Sequence, residues 1–283
     1  MDALDLPFDL ERYVKRSQKL TTSDLDWDEA AKHPVSEDEI RSLTYMADVE
    51  GQTIFYLRDL LSYGGSESEI TTFLPCWAYE EMFHSRALSR FLTLNGVDLE
   101  AGRLAAVRKR ATFQEVFERV AGAFFSWFVR DFSAVHMTWG AVNERTTLEG
   151  YTQIARTTEN PFLRELLRRI IKDERRHFAF YYQQARRRLE RHRGMQRFVR
   201  WAIGNFWSPV GSGVKSQGEL DRIMRHCFGH PEGRAAVDRI DAEFHRLAGL
   251  SGVPLLKACV DASLRRLGHQ IEEPVNDSRP VPV

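Results

Sequence analysis

Four glutamates occupy positions where an amphipathic helix puts its buried side chains, and this feature constrains the fold of the chain more than any other. Glu50 stands in the series Leu43, Met46, Glu50, Leu57, Leu61, and Glu144 in the series Gly140, Glu144, Thr147, Tyr151, Ile154. Glu81 and His84 lie between Trp77 and Leu88, while Glu174 and His177 continue Leu163, Leu167 and Ile170 toward Tyr181. Steps of three and four residues place each series on one helix face. A carboxylate inside such a stripe must find a partner, because burying an isolated charge is prohibitively costly.

The spacing says where that partner lies. Glu50 precedes Glu81 by 31 residues, and Glu144 precedes Glu174 by 30. An interval of about thirty residues holds the rest of one helix, a short turn and half of an antiparallel partner, which brings the two mid-helix positions level. Two such hairpins facing each other gather four carboxylates and two imidazoles at one point. For any single Glu-x-x-His pair a salt bridge or a satisfied core histidine is the simpler account, since nine histidines make chance pairs common. Six residues in register point instead to shared cations: two divalent ions match four negative charges, and neutral imidazoles complete the coordination. A glutamate from each of two helices, plus Glu-x-x-His from each of two others, is the di-iron or di-manganese pattern of helical bundles. A thiolate-free, oxygen-rich ligand set favours iron or manganese over a structural zinc.

Helical periodicity dominates the rest of the chain, and no run alternates as a strand would. Helices are expected at 36–62, 68–95, 112–157, 160–192, 196–207 and 216–229, with two more at 231–248 and 252–269. Ser36 with Glu39 forms a capping-box start, and "SYGGSES" and "LNGVD" carry turn chemistry. The expected fold is all-α: a four-helix bundle over about 36–192 with additional helices over 196–269, in one domain spanning 1–271. Residues 272–283 are rich in proline and read as a mobile tail.

Composition narrows the function. Forty basic and forty acidic residues cancel, which argues against a dedicated nucleic-acid binder. The charge is unevenly spread, however: residues 1–50 hold 13 acids and 6 bases, while residues 164–200 hold 13 bases and 4 acids. The basic run "RRRLERHRGMQRFVR", beginning with Arg186, Arg187 and Arg188, suggests a docking surface for an acidic partner as well as a plain solvated face. The apolar stretch Trp201–Val214 is too short to span a bilayer, and the acidic N-terminus lacks the order of a signal peptide. Three scattered cysteines suit a reducing compartment. These features describe a soluble cytoplasmic protein without a membrane span.

The flanks of the candidate ligands carry a resemblance. "WAYEEMFHSRALSRFLTLNGVD", "NERTTLEGYTQIAR" and "KDERRHFAFY" are similar to three ligand-bearing helices of the soluble acyl-acyl-carrier-protein desaturases, and "FWSPVG" resembles the segment that follows them. The match covers residues 40–215 and implies a ferritin-like bundle carrying two iron ions on Glu50, Glu81, His84, Glu144, Glu174 and His177. It implies that Thr147 stands beside the oxygen-binding side of the cluster and that Asp173 hydrogen-bonds a ligand imidazole. Pseudo-symmetry then pairs Asp173 with His84 and Glu80 with His177. Trp139, Tyr151, Phe178 and Tyr181 are candidate walls of an acyl channel, and ordinary bundle packing serves for each of them as well. Trp139 and Phe178 depart from the family pattern, and Trp27 is a candidate for its surface electron-transfer tryptophan.

The resemblance implies a dioxygen-dependent desaturase acting on a fatty acyl chain held by acyl-carrier protein or another thioester. A ferredoxin-type donor and a homodimer are implied with it. The alternatives are a di-iron oxygenase, hydroxylating or N-oxidising another small molecule, and a ferritin-like iron-binding protein without an oxidised substrate.

Overall fold

The structure is a computed structural model that describes residues 7–64, 67–99, 133–212 and 215–268. Among the described residues the chain forms nine α-helices and no strand: α1 (Leu10–Arg16), α2 (Glu37–Gly64), α3 (Ser68–Leu94), α4 (Ser133–Thr157), α5 (Pro161–Arg191), α6 (Arg193–Phe206), α7 (Gln217–Phe228), α8 (Pro231–His245) and α9 (Leu256–Arg266). A single 3-10 turn covers Trp27–Glu29. The all-α expectation therefore holds. The expected helix start at 112 and the tail 272–283 lie outside the described residues.

Local chemistry sets the helix starts. The Ser36 hydroxyl accepts from the Glu39 amide at 3.2 Å, and the Glu39 carboxylate accepts from the Ser36 amide at 2.7 Å, completing the capping box that opens α2. Asn160 caps α5 by accepting from the Leu163 amide at 3.0 Å, ahead of Pro161. The same Asn160 side chain donates to the carbonyls of Ala30 and His33, at 3.0 and 3.2 Å. It thereby ties the N-terminal segment to the turn between α4 and α5. The last helix starts at Leu256 rather than at 252, because Gly249 and Gly252 turn the chain with φ of +89° and +69°.

α2 lies along α3 and α4 along α5, giving two hairpins; between hairpins, α2 faces α4 and α3 faces α5 at wider backbone separation. That wider gap is filled by side chains. Phe73 of α3 stacks on Phe180 of α5 with ring centroids 3.7 Å apart, and Tyr181 meets Phe73 and Trp77 edge-on at 5.5 and 5.6 Å. Gly140 heads the α4 stripe because the Tyr181 ring occupies its side-chain space: a Cβ there would stand 2.5 Å from the ring. α7 closes over α2 and α4, α8 over α4, and α9 packs on both α7 and α8. Short α1 lies against α3.

Candidate metal centre

The two hairpins deliver the six predicted residues to one buried point. Glu50, Glu81, His84, Glu144, Glu174 and His177 are at most 7% exposed, so water does not solvate their charges. They form two groups, Glu50–Glu81–His84–Glu174 and Glu81–Glu144–Glu174–His177, and within each group one donor atom per residue lies within 4.8 Å of the others. Glu81 and Glu174 belong to both groups. On one side, His84 Nδ1 is 3.2 Å from Glu174 Oε1, 3.5 Å from Glu81 Oε2 and 3.8 Å from Glu50 Oε2. On the other, His177 Nδ1 is 2.9 Å from Glu81 Oε1, 3.6 Å from Glu174 Oε2 and 3.7 Å from Glu144 Oε2. Each shared carboxylate thus turns one oxygen to each group, with Glu50 and Glu144 as the outer ligands.

The outer nitrogens are held by further carboxylates. His84 Nε2 lies 3.2 Å from Asp173 Oδ2, and His177 Nε2 lies 2.7 Å from Glu80 Oε2. Both imidazoles therefore point Nδ1 inward, and the carboxylate behind each ring fixes its orientation. Glu80 accepts in addition from the Tyr13 hydroxyl at 2.8 Å and from Arg176 at 2.9 Å. Arg176 also donates to Asp173 at 2.5 Å, so one guanidinium links the two acids behind the cluster. Tyr151 donates to Glu50 Oε1 at 2.6 Å, which leaves Glu50 Oε2 facing His84.

The electrostatics match a site made for cations. Burial, joined by the charges of Glu174 and Glu81, pushes the Glu144 carboxyl well above the usual carboxylate range. Burial also opposes ionisation of Glu174, but the facing imidazoles of His177 and His84 outweigh it and hold this carboxyl at about 2. Despite the same burial, His84 and His177 are held well above the ordinary imidazole range by the surrounding carboxylates. Both Nδ1 atoms, both oxygens of Glu174 and Oε2 of Glu50 are buried without a hydrogen bond. Orphaned polar atoms gathered at one buried point call for an explanation, and a ligand that takes them supplies one. The residues fit divalent cations, each group offering three carboxylates and one imidazole.

A cavity of about 40 Å³ reaches the cluster at Glu50. Its other walls are Met46, Val49, Thr146, Thr147 and Gly150 with Ile223, Met224, Cys227 and Phe228 of α7, and they are almost wholly apolar. Thr147 is thus placed at the cavity beside Glu50, while its neighbour Thr146 returns its hydroxyl to Val142 at 2.8 Å. Burial pushes the Cys227 thiol up to about 12, so it lines the cavity as a neutral group.

The four aromatic residues expected along a channel do not line this cavity. Tyr151 is the hydrogen-bond donor to Glu50, Tyr181 packs into the bundle, and Trp139 is half-buried. Phe178 faces away from the cluster, against Tyr182 and Phe244 at 5.4 and 6.2 Å, with the Arg145 guanidinium 5.9 Å from its ring. Trp27 packs on Phe162 at 4.9 Å beneath Arg90. Of the three arginines expected at a docking surface, Arg188 is 4% exposed and pairs with Glu67 and Gln184. It pins the end of α5 to the start of α3 and presents no charge to a partner. Arg187 pairs with Glu69 at 2.7 Å and Arg186 with Glu190 at 2.8 Å, both on the surface.

Sequence reasoning missed Tyr13 and Arg176. Arg176 had a signal, two residues after Glu174 and three after Asp173; Tyr13, on a seven-residue helix, had none. No protein-family model, no curated protein and no solved structure matches the chain.

Proposed function

We infer that the chain is a di-iron, dioxygen-dependent oxidoreductase that introduces a double bond into a fatty acyl chain carried as a thioester on acyl-carrier protein. The observation that carries the metal half of this reading is the sharing of Glu81 and Glu174 between two buried His-containing groups. Carboxylates that turn one oxygen to each group suit a pair of like cations held close together. The oxygen-rich donor set favours iron, with manganese as the second choice. The acyl half rests on the resemblance of the helices around Trp77–Asp98, Asn143–Arg156 and Lys172–Tyr181 to the desaturases.

The chain's own residues would divide the work as follows. Glu50, Glu81, His84, Glu144, Glu174 and His177 hold the ions; when bound, the iron pair supplies the activation of dioxygen needed to break an unactivated C–H bond. Asp173 and Glu80 orient the imidazoles, and Tyr151 fixes one oxygen of Glu50. The apolar walls of the cavity at Glu50 would keep water from that side of the cluster. Thr147, which lines the same cavity as Glu50, would hold or pass a proton there.

Anaerobic loading with ferrous iron tests the metal half, with about two irons per chain expected and about one or none in Glu144→Gln. Reduced, loaded protein is then given an acyl-carrier-protein substrate with dioxygen and a ferredoxin-type donor. A product lighter by two hydrogens supports the desaturase; one heavier by an oxygen atom replaces it with an oxygenase; iron uptake without any product leaves an iron-binding bundle.

A further inference from the structure

The arginine run identified in the sequence is not uniform in the structure. Its first part is consumed internally, as Arg186, Arg187 and Arg188 all pair with acids. Its second part is not. Residues 191–206 contain four arginines (Arg191, Arg193, Arg197 and Arg200) and no acid, and all four are exposed. Among the described residues no carboxylate pairs with Arg191, Arg193 or Arg197, and Arg200 donates only to the carbonyls of Gly249 and Ser251, at 3.2 and 2.6 Å. The loop that receives it adds no acid of its own, since none occurs between Phe244 and Val260, and its exposed Arg246 lies 4.0 Å from Glu243 of α8. In a chain whose charges sum to zero, this is a strongly one-signed face.

The same helix exposes aromatic rings. Trp201 is 44% and Phe206 56% exposed, and the two pack edge to face at 5.1 Å, with Phe198 at 5.8 Å from Trp201. On the opposite side of α6, Val199, Ala202 and Ile203 are buried against the bundle, so the helix is fixed in place with Arg193, Arg197, Arg200 and Trp201 outward, and Phe206, in line with the buried row, emerges at its end.

We propose that α6 and the adjoining 246–253 loop form a peripheral membrane-docking surface that binds the anionic headgroup layer of a lipid bilayer. Arginines on long apolar stems reach phosphates while their stems and the neighbouring rings enter the boundary of the acyl region. Trp201 is amphipathic, and Phe206 at the helix end stands out beside it, as a helix lying in the plane of the interface requires. An acidic protein would also answer the charge. It does not answer two large rings standing out on a convex helix, whereas an acyl boundary receives them without a preformed pocket. The proposal is independent of the metal centre, since no residue of this face touches the ligands.

Sedimentation with vesicles tests it on the full-length protein. Neutral phosphatidylcholine vesicles are compared with vesicles holding about 30% phosphatidylglycerol, where each arginine near the surface adds roughly fivefold to binding. The protein is expected to sediment with the anionic vesicles only. Arg193→Glu/Arg197→Glu should lower partitioning at least about tenfold, and Trp201→Ala/Phe206→Ala should lower it several-fold at constant charge. Phospholipid brominated on its acyl chains should quench wild-type fluorescence more than that of Trp201→Phe. Circular dichroism checks that each variant keeps its fold. Failure of the wild type to bind anionic vesicles overturns the proposal. So does binding that the arginine pair controls but the aromatic pair leaves unchanged, which reduces it to a general attraction between charges with no docking into the acyl boundary.

Discussion

Individual residues make the two halves of the cluster unequal. The carboxylate behind His177, Glu80, is fully buried and accepts from Tyr13 and Arg176 as well as from the imidazole. The one behind His84, Asp173, is 16% exposed on its side chain and accepts from His84 and Arg176. Partners at this distance from a metal typically change its affinity by about 10- to 100-fold. Tyr13→Phe removes one donor from Glu80 and keeps the ring, which packs on Phe73 at 4.9 Å. Cobalt titration followed by absorbance should show one of the two equivalents weakened about tenfold and the other unchanged. Equal weakening of both equivalents would mean that Tyr13 acts only on overall stability. The titration should also depend on pH with a definite sign. His84 and His177 are raised well above the ordinary imidazole value by neighbouring carboxylates, although burial opposes it, so a metal ion must displace their protons. Affinity therefore rises with pH, and calorimetry in two buffers of different ionisation enthalpy should register proton release. Without metal the sign reverses: the stability from these imidazoles is complete below the unfolded value of about 6.5 and is lost as pH climbs through the raised folded values.

At the scale of elements, α7 shows how a helix that carries no ligand is held against the cluster. Its start is a second capping box, Ser216 with Glu219, and Lys215 just before it bridges buried Asp48 of α2 and Glu219 at 2.7 and 2.8 Å. Burial resists ionisation of Glu219, but hydrogen bonds from Lys215 and Ser216 prevail and hold its carboxyl at about 2. A depressed acid stabilises above its unfolded value, near 4.5, and loses that contribution as pH falls toward 2. Lys215→Met should destabilise by about 3 kcal/mol, because it removes the buried partner of Asp48, and urea melts should show part of the loss recovered by Asp48→Asn in the same chain. Full additivity of the two changes would deny the pairing. The elements also show what a sequence can disclose. The helix start at Ser36 was legible because caps are local, and the ligand set was legible because a carboxylate in an apolar stripe breaks the period. The Asp173–His84 and Glu80–His177 proximities followed from the resemblance, which singled out Asp173, joined to the pseudo-symmetry of the two hairpins. Tyr13 was hidden: its helix is seven residues long, and its partner lies 67 positions away. The cavity walls were hidden too, since they depend on which face α7 turns to α2 and α4. Charge alone could not show that Arg188 is spent inside the fold while Arg193 is not.

For the whole molecule, the cluster is a standing conflict between stability and binding. The four glutamates are fixed within two overlapping groups, and the core that surrounds them is continuous and apolar. Holding Glu144 ionised beside Glu174 and Glu81 is unfavourable, as its raised carboxyl shows. Removing that charge at constant shape should therefore stabilise the metal-free protein and weaken its hold on metal. Glu144→Gln is such a change, and His177 would keep Glu80, Glu81 and Glu174 as neighbours. Near pH 8 and without metal, the Tm of Glu144→Gln should exceed that of the parent by roughly 2–4 °C for each kcal/mol of relieved repulsion. Adding metal should invert the order. A ligand present at about a hundred times its Kd adds about 2.7 kcal/mol to the parent chain, and the variant, with one carboxylate fewer in the His177 group, gains much less. The two melting temperatures should therefore cross as metal is titrated. A variant that is less stable than the parent both with and without metal would show that Glu144 is a structural partner of His177, and the account of a core built around cations would fail with it.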